Sequence, residues 1–105
     1  IDTKLYRNLS WSVYKKEKEE ILKHEQLHFN ITELFTRKFR KALSEYVVKR
    51  NIRKDVANIY ANIEKQRVEM QLLYDKETNH SINKESQLAW EKKVSILLNE
   101  YEAFK

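Results

Sequence analysis

Hydrophobic residues recur every three or four positions along most of this chain, which is the spacing of a helix with one buried face. One such stripe occupies residues 14–48, a second occupies residues 53–75, and a third occupies residues 84–104. The first stripe consists of Ile21, His24, His28, Ile31, Phe35, Phe39, Ala42 and Tyr46. The pattern therefore predicts three amphipathic helices, the first of which carries two histidines on its buried face.

Polar intervals separate the predicted helices. Residues 49–54 are the most polar part of the chain and predict a helix break near Asn51, with Asp55 as a candidate cap of the second helix. Thr, Asn and Ser side chains cluster in residues 74–83, which is typical of a loop between helices. Residues 1–13 fit either a short extended segment or the lead-in to the first helix.

The composition supports an all-helical fold. The chain contains neither glycine nor proline, and the tight turns of β-hairpins normally depend on glycine for a positive φ. A fold rich in sheet is therefore disfavoured. The mixture of 41% hydrophobic and 35% charged residues is typical of amphipathic helices. We predict an all-α chain of about three helices.

The stretch His24-Glu25-Gln26-Leu27-His28 has the pattern H-E-x-x-H and lies in the first predicted helix. Residues four apart stack on one helix face, so the two imidazoles can bind one metal ion. A zinc ion held in this way lowers the pKa of its bound water to about 7, and Glu25 would take the proton as general base. The motif therefore predicts a zinc peptidase acting on a peptide or protein substrate.

The alternative interpretation of this motif is two packed histidines beside a surface glutamate on a charged helix. Histidine is scarce, however, with only three residues in the chain. Two of the three fall at metal-binding spacing and flank the glutamate, which favours the metal site.

A catalytic zinc site usually has three protein ligands and one open position. His80 is the remaining histidine, and it lies in the loop after the second predicted helix. If the first two helices pack antiparallel, the second helix spans about 33 Å and returns this loop to about residue 26 of the first. We therefore predict His80 as the third ligand. An exposed loop histidine, with Glu77 as the ligand instead, is the alternative.

Two further residues at the end of the second helix are candidates for the site. Asp75 is placed to accept the N–H of a ligating imidazole. Tyr74 is a candidate catalytic residue that would donate a hydrogen bond to the oxyanion of a tetrahedral intermediate. The alternative for Tyr74 is a core tyrosine that ends the apolar stripe of its helix.

Two stretches of the chain resemble the signatures of a bacterial family catalogued as domain of unknown function 922. The first is LKHEQLHFNITEL (residues 22–34), and the second is YDKETNH (residues 74–80). The likeness covers about residues 9–98. Asn30 stands where the family usually has Asp, and Ser81 stands where it usually has Gly.

That family is described as predicted secreted zinc-dependent proteases. The resemblance implies a zinc-peptidase-like domain with His24, His28 and His80 as ligands and Glu25 as base. It also implies a secreted or periplasmic location, which the residues themselves do not indicate.

The lack of glycine and proline is unusual for a whole domain, which averages roughly 7% Gly and 5% Pro. Peptidases with this motif usually place a β-sheet beside the motif helix, and an edge strand binds the substrate backbone. We therefore expect residues 1–105 to form a single helical part of a larger zincin-like domain, preceded by an N-terminal part that contains the sheet.

Charge and hydropathy bear on two other classes of function, nucleic-acid binding and membrane spanning. The net charge is +5, but Lys and Arg are mixed with Glu along the helices, so solvated helix faces explain it better than nucleic-acid binding. No apolar run reaches the roughly 20 residues that a membrane span requires. The main alternative to a peptidase is a non-catalytic helical protein-interaction module with a degenerate metal site.

Overall fold

The structure is a computed structural model that describes the backbone of residues 3–79 and 82–105 and the side chains of residues 15–79 and 82–105. Within these ranges the chain forms three α-helices followed by a short 3₁₀ helix. They are α1 (Thr3–Glu45), α2 (Ile52–Thr78), α3 (Lys84–Glu100) and the 3₁₀ helix Glu102–Phe104. The described residues contain no strand, which confirms the prediction of an all-α chain with three helices. None of the described helices is long and apolar enough to cross a membrane.

The helix ends decide between the two predictions for the start of α1 and differ from the predictions at two other places. α1 begins at Thr3, so the lead-in interpretation of the first residues is correct and the extended one is wrong. The break after α1 is confirmed, but Asp55 lies inside α2, where its carboxylate accepts the hydroxyl of Tyr46 at 2.6 Å. α2 continues to Thr78, four residues beyond the predicted start of the loop.

The end of α2 explains that last difference. The side chain of Thr78 is fully buried, and its hydroxyl donates to the carbonyl of Tyr74 at 2.7 Å, which satisfies a polar residue inside the helix. The residue that caps the helix is Asn79, which has a φ of 48° in the left-handed region. Asn tolerates this conformation better than most residues, so it replaces the glycine that commonly ends a helix.

α1 and α2 pack antiparallel. Residues later in the sequence of α1 contact residues earlier in the sequence of α2. The pairs that show this register are His28 with Gln71, Phe39 with Tyr60 and Tyr46 with Asp55. The antiparallel arrangement predicted from the sequence is therefore correct. It returns the end of α2 to the H-E-x-x-H segment of α1.

α3 runs alongside α1 in the same direction, and Arg37 joins the two helices. The guanidinium is buried, and it donates to the carbonyl oxygen of Leu98 at 2.7 Å and to the carboxylate of Glu33 at 3.1 Å. The last carbonyls of a helix have no partner within the helix, and that of Leu98 is satisfied by Arg37 together with the backbone N–H of Tyr101 at 3.2 Å. Glu33 and Arg37 are four residues apart on α1, which is the spacing of an ion pair along a helix, and the pair forms.

The hydrophobic core lies where all three helices meet. It consists of Leu27, Ile31, Leu34, Phe35, Tyr74, Trp90 and Val94. Ile31 and Phe35 of the predicted stripe lie in this core, the later stripe residues are partly buried, and Ile21 at its start is 54% exposed. His24 is buried at the edge of the core with only 6% of its surface exposed. The packing therefore places the H-E-x-x-H segment against the apolar core.

Leu34→Ala is expected to lower the free energy of unfolding by about 2–5 kcal/mol, because it removes a fully buried side chain and leaves a cavity. Urea unfolding of the metal-free chain measures this loss. Leu88→Ala is the matched control, since Leu88 is 66% exposed on α3 and should change stability by less than about 0.5 kcal/mol. Equal losses in the two variants would contradict the position of this core.

Candidate metal centre

Three side chains from α1 and α2 converge at one point. The Nε2 atoms of His24 and His28, one helical turn apart on α1, lie 2.7 and 2.6 Å from Oδ1 of Asp75 on α2. The two Nε2 atoms lie 3.2 Å from each other. Among the described side chains, this is the one cluster of histidine and acidic residues with the geometry to hold a metal ion.

The spacing of the two nitrogen atoms fits a shared zinc ion. Tetrahedral zinc binds imidazole nitrogen at about 2.0–2.1 Å, which places two ligand atoms about 3.3–3.4 Å apart. The observed distance between the Nε2 atoms of His24 and His28 is 3.2 Å. Asp75 lies closer to both imidazoles, at hydrogen-bond distance. Two imidazoles and one carboxylate are a donor set found in catalytic zinc sites.

The cluster is closed on the core side and open on the other. The side chain of His24 is 8% exposed, whereas His28 and Asp75 are 22% and 30% exposed. Burial acts to raise the pKa of Asp75, but hydrogen bonds and charge from the two histidines outweigh it and hold the pKa below its ordinary value. Asp75 is therefore an anion at neutral pH, with an open side through which a cation or a substrate can approach.

Tyr74 forms the floor of the cluster. Its ring stacks on His24 with centroids 4.5 Å apart and meets His28 edge-on at 4.9 Å. Burial raises the pKa of Tyr74 to about 12, so the hydroxyl stays protonated, and it donates to Oε1 of Gln87 at 2.6 Å. Its hydroxyl is buried and already paired, so the structure places Tyr74 in the core, and its role as an oxyanion donor stays a prediction. The core-tyrosine alternative is correct.

Glu77, the alternative third ligand, lies away from the cluster. Its carboxylate accepts the indole N–H of Trp90 at 2.8 Å. Residues two apart on a helix point about 200° away from each other, so Glu77 faces α3 when Asp75 faces α1. His80, the predicted third ligand, lies outside the described residues, as does Ser81.

Glu25, the predicted general base, is exposed on α1 next to the cluster. It is displaced by about 100° around the helix axis from His24 and by about 60° from His28. Burial is the largest cause of the raised pKa of Tyr74, and the charge of Glu25 makes the smallest contribution to it. Glu25 is therefore exposed beside the cluster, and its role as general base stays a prediction.

From the sequence, Asp75 is expected only in a supporting role, and no motif indicates Gln71 or Gln87 as contacts of the histidines. The antiparallel register of α1 and α2 indicates the contacts of Asp75 and Gln71. It placed the end of the second helix opposite residue 26, and the same register pairs Asp75 with His24 and Gln71 with His28. Gln87 comes from α3, whose register against α1 no pattern in the sequence specified.

Comparison with known proteins identified a family. A family model described as bacterial protein of unknown function (DUF922) matches residues 8–81, which is more than half of the chain. No curated protein matched the chain, and no solved structure did.

Proposed function

We propose that this chain, which belongs to the bacterial DUF922 family, is the metal-binding part of a zinc-dependent metallopeptidase. The observation that supports the proposal is the convergence of His24, His28 and Asp75 on one point, with an acidic residue inside the H-E-x-x-H motif beside them. His28 and Asp75 are partly exposed, so the site is open to solvent, as a hydrolase requires, and Glu25 is exposed on the same helix as the two histidines.

His24 and His28 would hold zinc through Nε2, and Asp75 would hold it through Oδ1. A zinc ion with three such ligands and one open position supplies a water that is acidic enough to ionise near neutral pH and polarises the substrate carbonyl. The fixed helices α1 and α2 orient these ligands. His80, five residues after Asp75, is the competing third ligand from the sequence analysis.

Glu25 would carry the proton transfers. Its carboxylate accepts the proton of the attacking water and then delivers it to the amine of the departing peptide fragment. Tyr74 keeps His24 and His28 in place through ring contacts and has no contact with the substrate.

The second candidate is a non-catalytic interaction module. Phe29 on α1 and Leu72 on α2 are 72% and 64% exposed, and exposed apolar side chains of this size favour a protein contact. In that function the cluster would need no zinc, since the hydrogen bonds between Asp75 and the histidines would hold the helices together without it.

The experiment that tests the proposal measures metal content and peptide hydrolysis on the same sample. The metal-free chain is loaded with zinc, freed of excess by gel filtration and analysed for bound metal, and denatured casein is then scanned for cleavage by mass spectrometry. We expect one zinc per chain and cleavage that stops with a chelator and returns with zinc. Zinc without cleavage would favour a structural metal, and no retained zinc would favour the interaction module. Selective retention of iron would instead indicate two-histidine, one-carboxylate iron chemistry.

A further inference from the structure

We propose that Gln71 and Gln87 are positioning residues that select the tautomers of His28 and His24. Each glutamine oxygen would hold the ring proton on Nδ1, so that both Nε2 lone pairs point at the metal position. The inference rests on the proposed metal site, but not on the peptidase reaction.

The orientation of the Gln71 amide follows from its neighbours on α1. Its nitrogen Nε2 lies 2.9 Å from the backbone carbonyl oxygen of His28 and 3.1 Å from Oγ1 of Thr32. A carbonyl oxygen can only accept a hydrogen bond, so the amide nitrogen belongs on that side. The other atom, Oε1, then faces Nδ1 of His28 in a short hydrogen bond. Because an amide oxygen has no proton to donate, Nδ1 of His28 must carry the proton.

The Gln87 amide is fixed in the same way on the other side of the site. Its nitrogen donates to the carboxylate of Glu91 at 3.3 Å, which leaves Oε1 facing inward. There Oε1 accepts the hydroxyl of Tyr74 at 2.6 Å and lies 3.3 Å from Nδ1 of His24. Gln87 is only 8% exposed, so water competes little for this contact. Nδ1 of His24 must therefore carry the proton as well.

Together the two contacts turn a hydrogen-bonded cluster into a set of metal ligands. A neutral imidazole with its proton on Nδ1 has a free lone pair on Nε2. In the metal-free chain Oδ1 of Asp75 competes for the same proton by accepting from Nε2, and the glutamine oxygens oppose that tautomer. With the proton on Nδ1, three acceptor atoms face one another at these distances and repel unless a shared proton or a metal ion lies among them. In the opposite tautomer the histidines would donate Nε2–H to Asp75 and offer no lone pair to a metal.

Gln71→Met tests the inference directly, because it removes the acceptor while keeping the length of the side chain. Imidazole nitrogen shifts of the ¹⁵N-labelled, metal-free chain report each tautomer at about pH 8.5, where an unperturbed imidazole is neutral. We expect His28 to lose its Nδ1–H preference while His24 keeps it. Zinc affinity, measured by competition with a chelator, should fall by about 10–100-fold, as is typical of groups that orient a metal-ligating histidine.

Gln87→Met should shift the tautomer of His24 in the same way. Gln87 is buried, so this variant is interpreted only if its helical circular dichroism matches that of the wild type. Gln71 is partly exposed, so the Gln71→Met test stands even if the Gln87→Met variant fails to fold. Gln66→Met is the matched control, since Gln66 is exposed on α2 and should change neither tautomer nor affinity.

Two results would overturn the inference. One is a wild-type, metal-free chain in which His28 carries its proton on Nε2. The other is a Gln71→Met variant that binds zinc within about twofold of the wild type, well short of the 10–100-fold loss expected of an orienting group. A wild type that binds no zinc would contradict the proposed metal centre instead, while the tautomers of the metal-free chain would still test the role of the glutamines.

Discussion

Asp75→Ala is expected to lower the zinc affinity of the chain by more than about 100-fold. Groups that only support a ligand cost about 10–100-fold when they are removed, so a larger loss identifies Asp75 as a ligand. The expectation follows from Oδ1 of Asp75, which lies within 2.7 Å of both Nε2 atoms. It also follows from the carboxylate staying ionised, because the pKa of Asp75 is held below its ordinary value against the effect of burial by the two histidines.

Chelator competition measures the loss, and Asp55→Ala is the matched control. Asp55 is the other aspartate of α2 and pairs with Tyr46 at the far end of the helix, so its removal should leave zinc affinity unchanged. His80→Ala is run beside them. X-ray absorption at the zinc edge then counts the imidazoles, with two expected if Asp75 is the third ligand.

A different order of zinc affinities among these variants would change the assignment of the third ligand. A loss of more than about 100-fold in His80→Ala, with a loss of only 10–100-fold in Asp75→Ala, would make His80 the ligand and return Asp75 to a supporting role. Three imidazoles in the absorption spectrum would agree with that outcome.

Glu25→Gln is expected to slow peptide hydrolysis by about 10²–10⁴-fold, which is the usual contribution of a general base. The amide has nearly the same shape as the carboxylate but cannot accept the proton of water. Zinc affinity should stay close to that of the wild type, because Glu25 is exposed and is outside the cluster of potential metal ligands.

This effect is measured as a cleavage rate, on the casein fragment that the wild type hydrolyses fastest. Glu19→Gln is the control, since Glu19 is also exposed on α1 and lies more than one turn before the site. A Glu25→Gln variant that cleaves at the wild-type rate would remove Glu25 from the mechanism. Equal losses in the two variants would indicate a general effect of charge on substrate binding.

Much of the fold could be predicted because each helix carries its own period of apolar residues. The antiparallel return of α2 followed from helix lengths alone, since a rise of about 1.5 Å per residue fixes which residues come opposite each other. This was enough to bring Tyr74 and Asp75 to the histidines. The stripe on α1 also placed His24 and His28 on the core side, which the structure confirms for the buried His24.

Other features of the fold and the site depend on contacts between helices or within a helix end that no local sequence pattern encodes. Thr78 looked like a loop residue, but a hydrogen bond to the carbonyl of Tyr74 lets it stay in the helix. Tyr74 could have faced solvent or core, and only the packing of Trp90 from α3 decides the question. Gln87 reaches His24 across a separation of 63 residues, and its position depends on how α3 lies against α1.

The three helices contribute unequally to the metal centre, and this has a thermodynamic consequence. α1 supplies both histidines, α2 supplies Asp75 and Gln71, and α3 supplies Gln87. An unfolded chain keeps only the histidine pair close in sequence, so an ion held by the complete set binds the native state far better. At a free ion concentration about 100 times its dissociation constant, such selective binding adds about 2.7 kcal/mol to stability. The persistence of the fold would then be linked to the supply of the ion in the surroundings of the protein.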